Sequence, residues 1–579
     1  PLWCGLLLQF AAGFAFLAGA LGDTEPGAWP VFNARYIGTM LLALAGFFSA
    51  WCLLAREQVR TWVPFVQEWG LMVALWGVWW WLGGGVFEIW HWHVEQGWSV
   101  QDLLRGWLLF AVLSAWLAHL GSRAADWPLA GFPALGLTPV LALLGIASCA
   151  VWTGPPLGGS GLLAWPLAFV ASWWLLKRQE AAHADTWLAP LHTLLFLTLC
   201  VLLSDEGYWR LRAFVPEGAW SWAAWAFGHG CLLAVLAGAG LRLHWPVRRF
   251  ARAYLLWAAL PLAALLWIWS LASLVSDGAA DPLPFVPFLN PLDVGQMLVI
   301  VALVLWRRRV LALELASQPR GLEYAALGTV FLWLNAVLLR TLHHHFGVRY
   351  AVPEILESLN LQLVFLAGWG AIVLAALWRV REPAVVRVAA FASAPLVLVM
   401  LLWSLYANLT QPGTLLGRIP LLNPLDLIML LTFGAAVLWW LRAPVAGLPV
   451  DLHTRAAGAL GAGIVLIWLN AVLLRTLHHW QGVPYTLHDL AGSTLVQASL
   501  SVFWTVLALL AMLVATRRAV RSLWLVGGGL LAVTVMKMFL VDLSFLSGVA
   551  RIVSFIAVGG LLLLIGYLSP MPPAAKEGV

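Results

Sequence analysis

The stretch WLNAVLLRTLHHHFGVRY, Trp333 to Tyr350, recurs 135 residues later as WLNAVLLRTLHHWQGVPY, Trp468 to Tyr485. Both copies lie at the end of a long apolar run, and both keep an asparagine and an arginine within it. Arginine at the centre of a membrane helix costs about 2.5 to 3.5 kcal/mol on insertion scales, so its repetition needs a cause. Two causes fit the sequence: the polar residues hold helices together, or they contact a substrate.

The rest of the chain has the composition of a membrane protein. Hydrophobic residues make up 62% of the sequence and charged residues 10%. Apolar runs of about 17 to 22 residues follow one another with short breaks, as bilayer spans require. Many of the 39 tryptophans lie near the ends of these runs, which is typical of indole rings at the headgroup level. The sequence therefore predicts an all-α, polytopic transmembrane helical bundle of about 18 helices.

Two further pairs of segments extend the internal duplication. LLWIWSLASL from residue 265 matches VMLLWSLYANL from residue 399, and PFLNPLDVGQML from residue 287 matches PLLNPLDLIMLL from residue 420. A period above one hundred residues indicates duplicated groups of helices. We predict four and a half four-helix repeats: a half repeat at 1–60 and full repeats at 61–182, 183–322, 323–455 and 456–579, the last with a short C-terminal tail. Because the chain opens in mid-repeat, we expect it to continue a longer N-terminal region.

Basic and acidic residues are divided between alternate loops. Arginine clusters such as 307–309 and 517–518 fall on one side if the connections alternate, and loops with Asp and Glu fall on the other. By the positive-inside rule the basic loops and the C-terminus are cytoplasmic. The net charge of +6 is therefore spread over loops, and we expect no nucleic-acid partner.

The repeated stretch supplies the first candidate binding residues. In each copy the arginine and two histidines are spaced i, i+3, i+4, so they share one helix face near the outer end. Such a face suits an anionic or polyol head group, with arginine as a forked donor and histidine available for proton transfer. The alternative is that these side chains extend to the interface and cap helix-end carbonyls. The candidates are Arg340, His343 and His344, and Arg475, His478 and His479.

The first predicted repeat carries other titratable residues at the corresponding position. VFEIWHWHVE contains Glu88 and His91 at i, i+3, with His93 just beyond, and the second repeat has Asp205 there. We include Glu88 and His91 in the candidate substrate-binding set. Glu88, His91 and His93 could supply metal ligands, but the chain has no HExxH or other closed ligand spacing. The five cysteines lie in apolar stretches without CxxC spacing. We therefore predict no metal site and no cofactor.

Six other positions have simpler structural interpretations. Asn335 and Asn470 lie closer to mid-membrane, where an amide most often forms an interhelical hydrogen bond. In the two NPLD segments, asparagine before proline predicts a helix N-cap, and Asp293 or Asp426 complements the helix dipole.

The last repeat places charges in an otherwise apolar helix. Lys537 needs a carboxylate partner or a wet cavity, and Asp542 is the nearest candidate in sequence. A spacing of five residues is poor for direct pairing along one helix, so a neighbouring helix could intervene. We include both in the candidate substrate-binding set.

These segments resemble a known family. VMKMFLVDLSFLSGVARIVSFIAVGGLLLLIGYLSP, which starts at Val535, resembles the C-terminal signature of the bacterial membrane proteins called domain of unknown function 2339. The repeated LNAVLLRTLHH and the segment FNARYIGTMLLALAGFFSAW, which starts at Phe32, are similar to the same family. The resemblance implies a multi-pass protein of a bacterial inner membrane, with an additional N-terminal region in typical members. It implies no reaction, ligand or catalytic residue.

We expect the protein to bind or transport an envelope-related lipid-linked, sugar or anionic substrate, as a transporter, flippase or accessory channel. Internal duplication and polar residues within spans are both common in carriers. One alternative is a glycosyl or acyl transferase that acts on the outer face, with Glu88, His91, Asp205 or His343 as acid or base. Another is a membrane scaffold for envelope proteins. The expected partners in every case include membrane lipids.

Overall fold

The computed structural model describes residues 2–22, 29–54, 65–127, 131–151, 153–181, 183–317, 321–379, 383–414, 419–442 and 455–540, with isolated residues beyond 540. These residues form α-helices joined by short connections, and none of them lies in a strand. The predicted all-α polytopic bundle is confirmed. The chain divides into two compact units, Pro1–Tyr350 and Ala351–Val579.

The first unit contains twelve of the α-helices in the described residues. They are α1 Leu2–Gly22, α2 Ala34–Leu54, α3 Val66–Gln96, α4 Val100–Ala124, α5 Phe132–Leu135, α6 Leu137–Ala150, α7 Gly161–Gln179, α8 Asp185–Phe214, α9 Trp220–Ala239, α10 Ala259–Ala272, α11 Pro291–Ala312 and α12 Gly321–Phe346. Short π-helical segments, His244–Arg248 and Ala253–Ala258, precede α10, and a 3₁₀ turn, Ser273–Val275, follows it.

The second unit contains eight α-helices in its described part. They are α13 Val352–Glu357, α14 Leu359–Arg379, α15 Pro383–Thr410, α16 Pro424–Arg442, α17 Arg455–Gln481, α18 Leu487–Gly492, α19 Thr494–Arg518 and α20 Arg521–Leu540.

Fourteen helices in the described part of the chain are long and apolar enough to cross a membrane. Three others, α1, α7 and α11, have 21, 19 and 22 residues. The protein is therefore a multi-pass membrane protein, and its outer helix surfaces contact lipid. The total of 18 spans, the repeat boundaries and the orientation of the loops stay predictions.

The core of the first unit runs through α4 and α6 to α11. Leu108, Leu141, Leu195 and Leu233 are fully buried there. In the second unit a smaller core joins α14, α15 and α16 around Met400. Within these cores many polar side chains are also buried, so hydrogen bonds between helices must satisfy them.

One connection in each unit positions the candidate residues. In the first unit the chain leaves the α-helical form at Ser273, and α11 begins after Asn290, which is its N-cap. In the second unit α15 stays helical to Thr410, and α16 begins at Pro424. The N-cap prediction at Asn290 is confirmed, because its side-chain oxygen accepts a hydrogen bond from the Asp293 amide at 3.0 Å.

Candidate functional site

Arg340 on α12 is fully buried and directs its guanidinium into the start of α11. Nη1 contacts the Asp293 carboxylate at 2.6 Å. Nη2 donates to the carbonyl of Ser273 at 2.5 Å, and Nε donates to the carbonyl of Ser276 at 3.0 Å. These two carbonyls are available because the helix that precedes them has ended in a 3₁₀ turn. The Arg340 side chain therefore joins α12 to the chain that follows α10 and to the start of α11.

Asp293 lies at the centre of this arrangement and is itself fully buried. Its Oδ1 accepts a second hydrogen bond, from the Trp333 indole at 2.9 Å, and its Oδ2 accepts one from the Asn290 amide. Removal of two charges from water is costly, and further hydrogen bonds are needed to offset that cost. The carboxylate therefore does more than complement the helix dipole, which was its predicted role.

Arg475 on α17 forms the same centre in the second unit. Its Nη2 pairs with the Asp426 carboxylate, which also accepts from the Trp468 indole at 2.8 Å. Nη1 donates to both oxygens of Asn408, the carbonyl at 2.9 Å and the side chain at 2.7 Å. Its Nε is buried and has no hydrogen-bond partner among the residues that the structure describes.

We call these arrangements the Arg340 junction and the Arg475 junction. The first consists of Asp277, Asp293, Trp333, Arg340, His343, His344 and Tyr350, and the second of Asn408, Pro412, Asp426, Trp468, Arg475, His478, His479 and Tyr485. In both, the arginine is almost completely shielded from solvent. The predicted capping of helix-end carbonyls is seen at Ser273, but the side chain lies within the protein and not at the lipid interface.

The histidines form a shallower layer over each arginine. Nδ1 of His343 lies 2.6 Å from the carbonyl of Val348, and Nδ1 of His478 lies 2.7 Å from the carbonyl of Val483. Because a carbonyl can only accept, each Nδ1 carries the proton, and the neutral ring keeps a lone pair on Nε2. All four histidines are half-buried.

The following histidine is held in the opposite tautomer. Nε2 of His344 lies 3.0 Å from the carbonyl of Asp277, and Nε2 of His479 lies 3.1 Å from the carbonyl of Pro412. By the same reasoning Nε2 is the donor there, and Nδ1 keeps the lone pair in the neutral ring. Each junction thus presents two imidazoles whose orientation is fixed by main-chain carbonyls.

A tyrosine closes each junction just beyond the helix end. The Tyr350 hydroxyl donates to the carbonyl of Leu274 at 2.5 Å, and that of Tyr485 donates to the carbonyl of Asn408 at 3.3 Å. Burial raises the pKa of both phenols above the ordinary tyrosine value, and the neighbouring arginine opposes part of that rise. Both hydroxyls therefore stay neutral donors at physiological pH.

The two junctions differ at one outer position. In the first, the Asp277 carboxylate lies 3.6 Å from Nε2 of His343, and one ligand atom from each of Asp277, His343 and His344 lies within 4.8 Å of the others. In the second, Pro412 takes the place of Asp277 beneath the histidine pair. Among the residues that the structure describes, the first junction alone therefore combines two imidazoles with a carboxylate.

Glu88 occupies a related position at the end of α3, but it is satisfied by different donors. Its Oε1 accepts hydrogen bonds from the Val31 amide at 3.0 Å, the Asn33 side chain at 2.7 Å and the Trp92 indole at 3.0 Å. His91 lies one turn on and packs its ring against Trp92. The described contacts of Glu88 and His91 are thus distinct from those of the Arg340 junction in the same unit.

The second predicted repeat uses carboxylates again. Asp205 is almost fully buried on α8, and its neighbour Glu206 accepts from the Leu157 amide at 2.8 Å and pairs with Arg210 at 2.6 Å. Arg105 donates to the carbonyl of Pro156 at 3.1 Å in the same connection. Where the first helix of a predicted repeat carries a carboxylate, as at Glu88 and Glu206, an earlier connection supplies a main-chain amide. Where it carries arginine, the connection supplies carbonyls.

Lys537 on α20 is held by α19. Its ammonium donates to the carbonyl of Gln497 at 2.9 Å and to the hydroxyl of Ser501 at 2.8 Å. Asp542, its predicted partner, lies outside the described residues. The polar partner that a lysine in an apolar helix requires is therefore supplied in part by a neighbouring helix.

The structure also contains an apolar groove of about 350 Å³ between α8 and α9. Leu211, Phe214 and Phe227 line it, and Arg210 lies at its edge. Its composition suits a lipid tail with a polar group near the arginine. This groove does not include the residues of the two arginine junctions.

Several residues of the junctions were not among the predicted binding residues. The sequence alone indicates only a helix-dipole role for Asp293 and Asp426, and it indicates no role for Asn408, Trp333 and Tyr350. A usable signal was present, because each duplicated arginine has a duplicated aspartate at the start of the preceding long helix. A buried cation needs a buried anion, so both should be expected to repeat together. The predicted interhelical bond of Asn470 is confirmed, since it accepts from the Trp504 indole at 2.7 Å.

Comparison with known proteins bears on the whole chain. No curated protein and no solved structure matches it. The family described as "Predicted membrane protein (DUF2339)" matches residues 39–379 and again residues 348–572, so both arginine junctions lie within matched regions. The resemblance noted from the sequence is confirmed. The chain belongs to this family of predicted membrane proteins, domain of unknown function 2339.

Proposed function

We propose that this protein binds or transports an envelope-related lipid-linked, sugar or anionic substrate in a bacterial inner membrane, and that the two arginine junctions contact that substrate. The observation that supports this proposal is the repetition of the same layered set of residues. Ionisable residues inside membrane spans commonly mark substrate pathways.

Within each junction the residues have separate tasks. Arg340 and Arg475 are positioning residues, because their donors are directed to aspartates and carbonyls of the protein. The half-buried histidines above them are the groups that touch substrate. A neutral imidazole nitrogen with a lone pair accepts from a sugar hydroxyl, and a protonated one donates to a phosphate or carboxylate.

A transferase is less well supported by these contacts. Acid and base would have to converge on one bond of the substrate. The described partners of Glu88, Asp205 and His343 lie in three different segments of the first unit, at Asn33, Cys149 and Asp277. No described contact joins them into one catalytic centre.

The test is substrate binding by the purified, detergent-solubilised protein and by proteoliposomes. We expect a polyprenyl-linked sugar phosphate or a free sugar phosphate to raise the unfolding temperature of the wild-type protein. The double variant His343→Gln/His478→Gln should weaken binding about tenfold or more at each junction, since loss of one contact of roughly 1.4 kcal/mol lowers affinity tenfold. Binding of either ligand by the purified protein, or its transport by the proteoliposomes, would support the proposal.

His345→Gln is the matched control. His345 follows the pair directly, is exposed, and corresponds to Trp480 in the second copy, so it is outside the duplicated set. Its replacement should leave binding unchanged. Absence of binding and flux for all lipid-linked, sugar and anionic probes, or equal losses in His345→Gln and the double variant, would contradict the proposal.

A further inference from the structure

The outer layer of the Arg340 junction has the donor set of a metal site. Asp277 supplies a carboxylate, and His343 and His344 supply imidazoles, with one ligand atom from each within 4.8 Å of the others. Nε2 of His343 and Oδ2 of Asp277 are 3.6 Å apart, which is too long for a hydrogen bond. Two ligands of a tetrahedral ion, each at 2.0 to 2.2 Å from it, are about 3.3 to 3.6 Å apart.

The tautomers of both histidines suit coordination. A metal-bound imidazole usually donates its other ring N–H to a carbonyl or carboxylate, which fixes the ring and leaves the lone pair for the ion. Nδ1 of His343 donates to Val348, and Nε2 of His344 donates to the carbonyl of Asp277. Stacking on Phe285, at 4.2 Å between ring centroids, holds His344 further in place.

Burial and charge also suit an ion at this position. The side chains of His343 and Asp277 are 30% and 41% exposed, so an ion can enter and keep open positions for water. The positive charge of Arg340 beneath them is paired with Asp293. The carboxylate of Asp277 therefore gives the outer layer its own negative charge.

We propose that Asp277, His343 and His344 bind a divalent transition ion of the zinc class, with water at the remaining positions. This inference goes beyond the proposed function, because the ion binds whether or not substrate is present. It also differs from our expectation that the chain holds no metal. The Arg475 junction lacks the site, since Pro412 stands where Asp277 does and offers no ligand.

The second junction provides a control within the same molecule. His478 and His479 have the same two carbonyl contacts and the same ring arrangement as His343 and His344. If two fixed imidazoles sufficed, both junctions would bind the ion. Because a third ligand is needed, only the junction with Asp277 should bind it.

The experiment is titration of Co²⁺ into untagged, metal-free, detergent-purified protein. Co²⁺ replaces Zn²⁺ in such sites and has visible absorption bands that report its ligands. We expect one equivalent per chain, competed by Zn²⁺. Asp277→Ala and His343→Gln should each weaken binding more than about 100-fold, the upper range for loss of a residue that merely orients a ligand.

His478→Gln is the matched control and should bind one equivalent unchanged. Size-exclusion profiles and unfolding temperatures in the absence of metal establish that each variant is folded. If Asp277→Ala does not fold, Asp277→Asn takes its place in the titration. No Co²⁺ bands with the wild-type protein, bands that persist in the folded Asp277 variant, or bands lost in His478→Gln would each overturn the site. None of these results depends on whether a sugar or lipid-linked substrate binds.

Discussion

The Arg340 junction and the Arg475 junction share a charged centre but surround it differently. Both join arginine, aspartate and tryptophan with nearly equal geometry, 2.9 Å and 2.8 Å from indole to carboxylate. Arg340 then donates to two main-chain carbonyls, whereas Arg475 donates to Asn408 alone and leaves Nε without a described partner. The centre is retained while its surrounding acceptors change.

The difference has a backbone cause. The helix before the Arg340 junction tightens into a 3₁₀ turn at Ser273, which frees carbonyls for the guanidinium. The helix before the Arg475 junction continues to Thr410, and there one main-chain carbonyl, that of Asn408, and one side chain share the role of acceptor. The side chain is also that of Asn408, through its amide oxygen. The acceptors for a buried arginine can therefore come from an early helix end, as for Arg340, or in part from one asparagine side chain, as for Arg475.

The largest expected effect comes from removal of the arginines. Arg340→Met and Arg475→Met should each destabilise the protein by about 3 to 5 kcal/mol, because each leaves an unpaired buried aspartate. We expect the larger loss with Arg340→Met, since replacement of Arg475 also removes a buried N–H that had no described partner. Thermal unfolding of the purified variants measures both.

A paired variant controls for simple loss of packing. Arg340→Met combined with Asp293→Leu removes both charges together and should recover most of the lost stability. A larger loss with Arg475→Met than with Arg340→Met would show that the extra carbonyl contacts do not strengthen the first junction.

The indole hydrogen bonds should respond equally in the two junctions. Trp333→Phe and Trp468→Phe each remove one donor to a carboxylate, and hydrogen bonds to charged groups contribute about 1.5 to 3 kcal/mol. Their matching distances predict matching losses in unfolding temperature. Trp187→Phe, at a side chain that is 73% exposed, is the neutral control. Clearly unequal losses would mean that the two centres differ more than their geometry suggests.

Substitution of one glycine in each junction should destabilise the Arg475 junction more than the Arg340 junction, which is the reverse of the order expected for the arginines. Gly278 and Gly413 have φ values of +70° and +58°, so alanine at either is strained by about 1 to 2 kcal/mol. An added Cβ at Gly278 would lie 3.1 Å from Cδ of Arg340, whereas at Gly413 it would overlap the Asn423 side chain. Unfolding temperature should therefore fall further with Gly413→Ala. Gly434→Ala, in a helix with open space around it, should cause no loss.

The smallest effect is expected at the closing tyrosines. Tyr350→Phe and Tyr485→Phe each remove a neutral hydrogen bond of about 0.5 to 1.5 kcal/mol. The shorter contact of Tyr350, 2.5 Å against 3.3 Å, predicts the larger fall in unfolding temperature for Tyr350→Phe. Indistinguishable unfolding curves for the two variants would argue that contact length is unimportant here.

Much of the fold follows from the sequence because bilayer thickness constrains helix length. Apolar runs and their breaks predicted helices such as α9 and α16 with little ambiguity. The boundary between the two compact units was harder to predict. The first compact unit ends at Tyr350, within the third predicted repeat, since Arg340 joins α12 to the helices before it.

The candidate site was only partly predictable for a similar reason. Spacing along one helix places Arg340, His343 and His344 on a common face, and the structure has them together. The distance from Asp293 to Arg340 in space cannot be read from their separation of 47 residues. The same holds for Asp277, whose proximity to the histidines depends on a connection without regular structure.

The position of Asp293 before Arg340 in the chain has a consequence for biosynthesis. At 5 to 20 residues per second, the ribosome makes the arginine about 2 to 10 s after the aspartate. During that interval the carboxylate at the start of α11 has no guanidinium partner. The Arg340 junction therefore forms only after α12 has been inserted beside α11. A stalled or truncated chain that ends between the two residues exposes an unneutralised acid to the insertion and quality-control machinery.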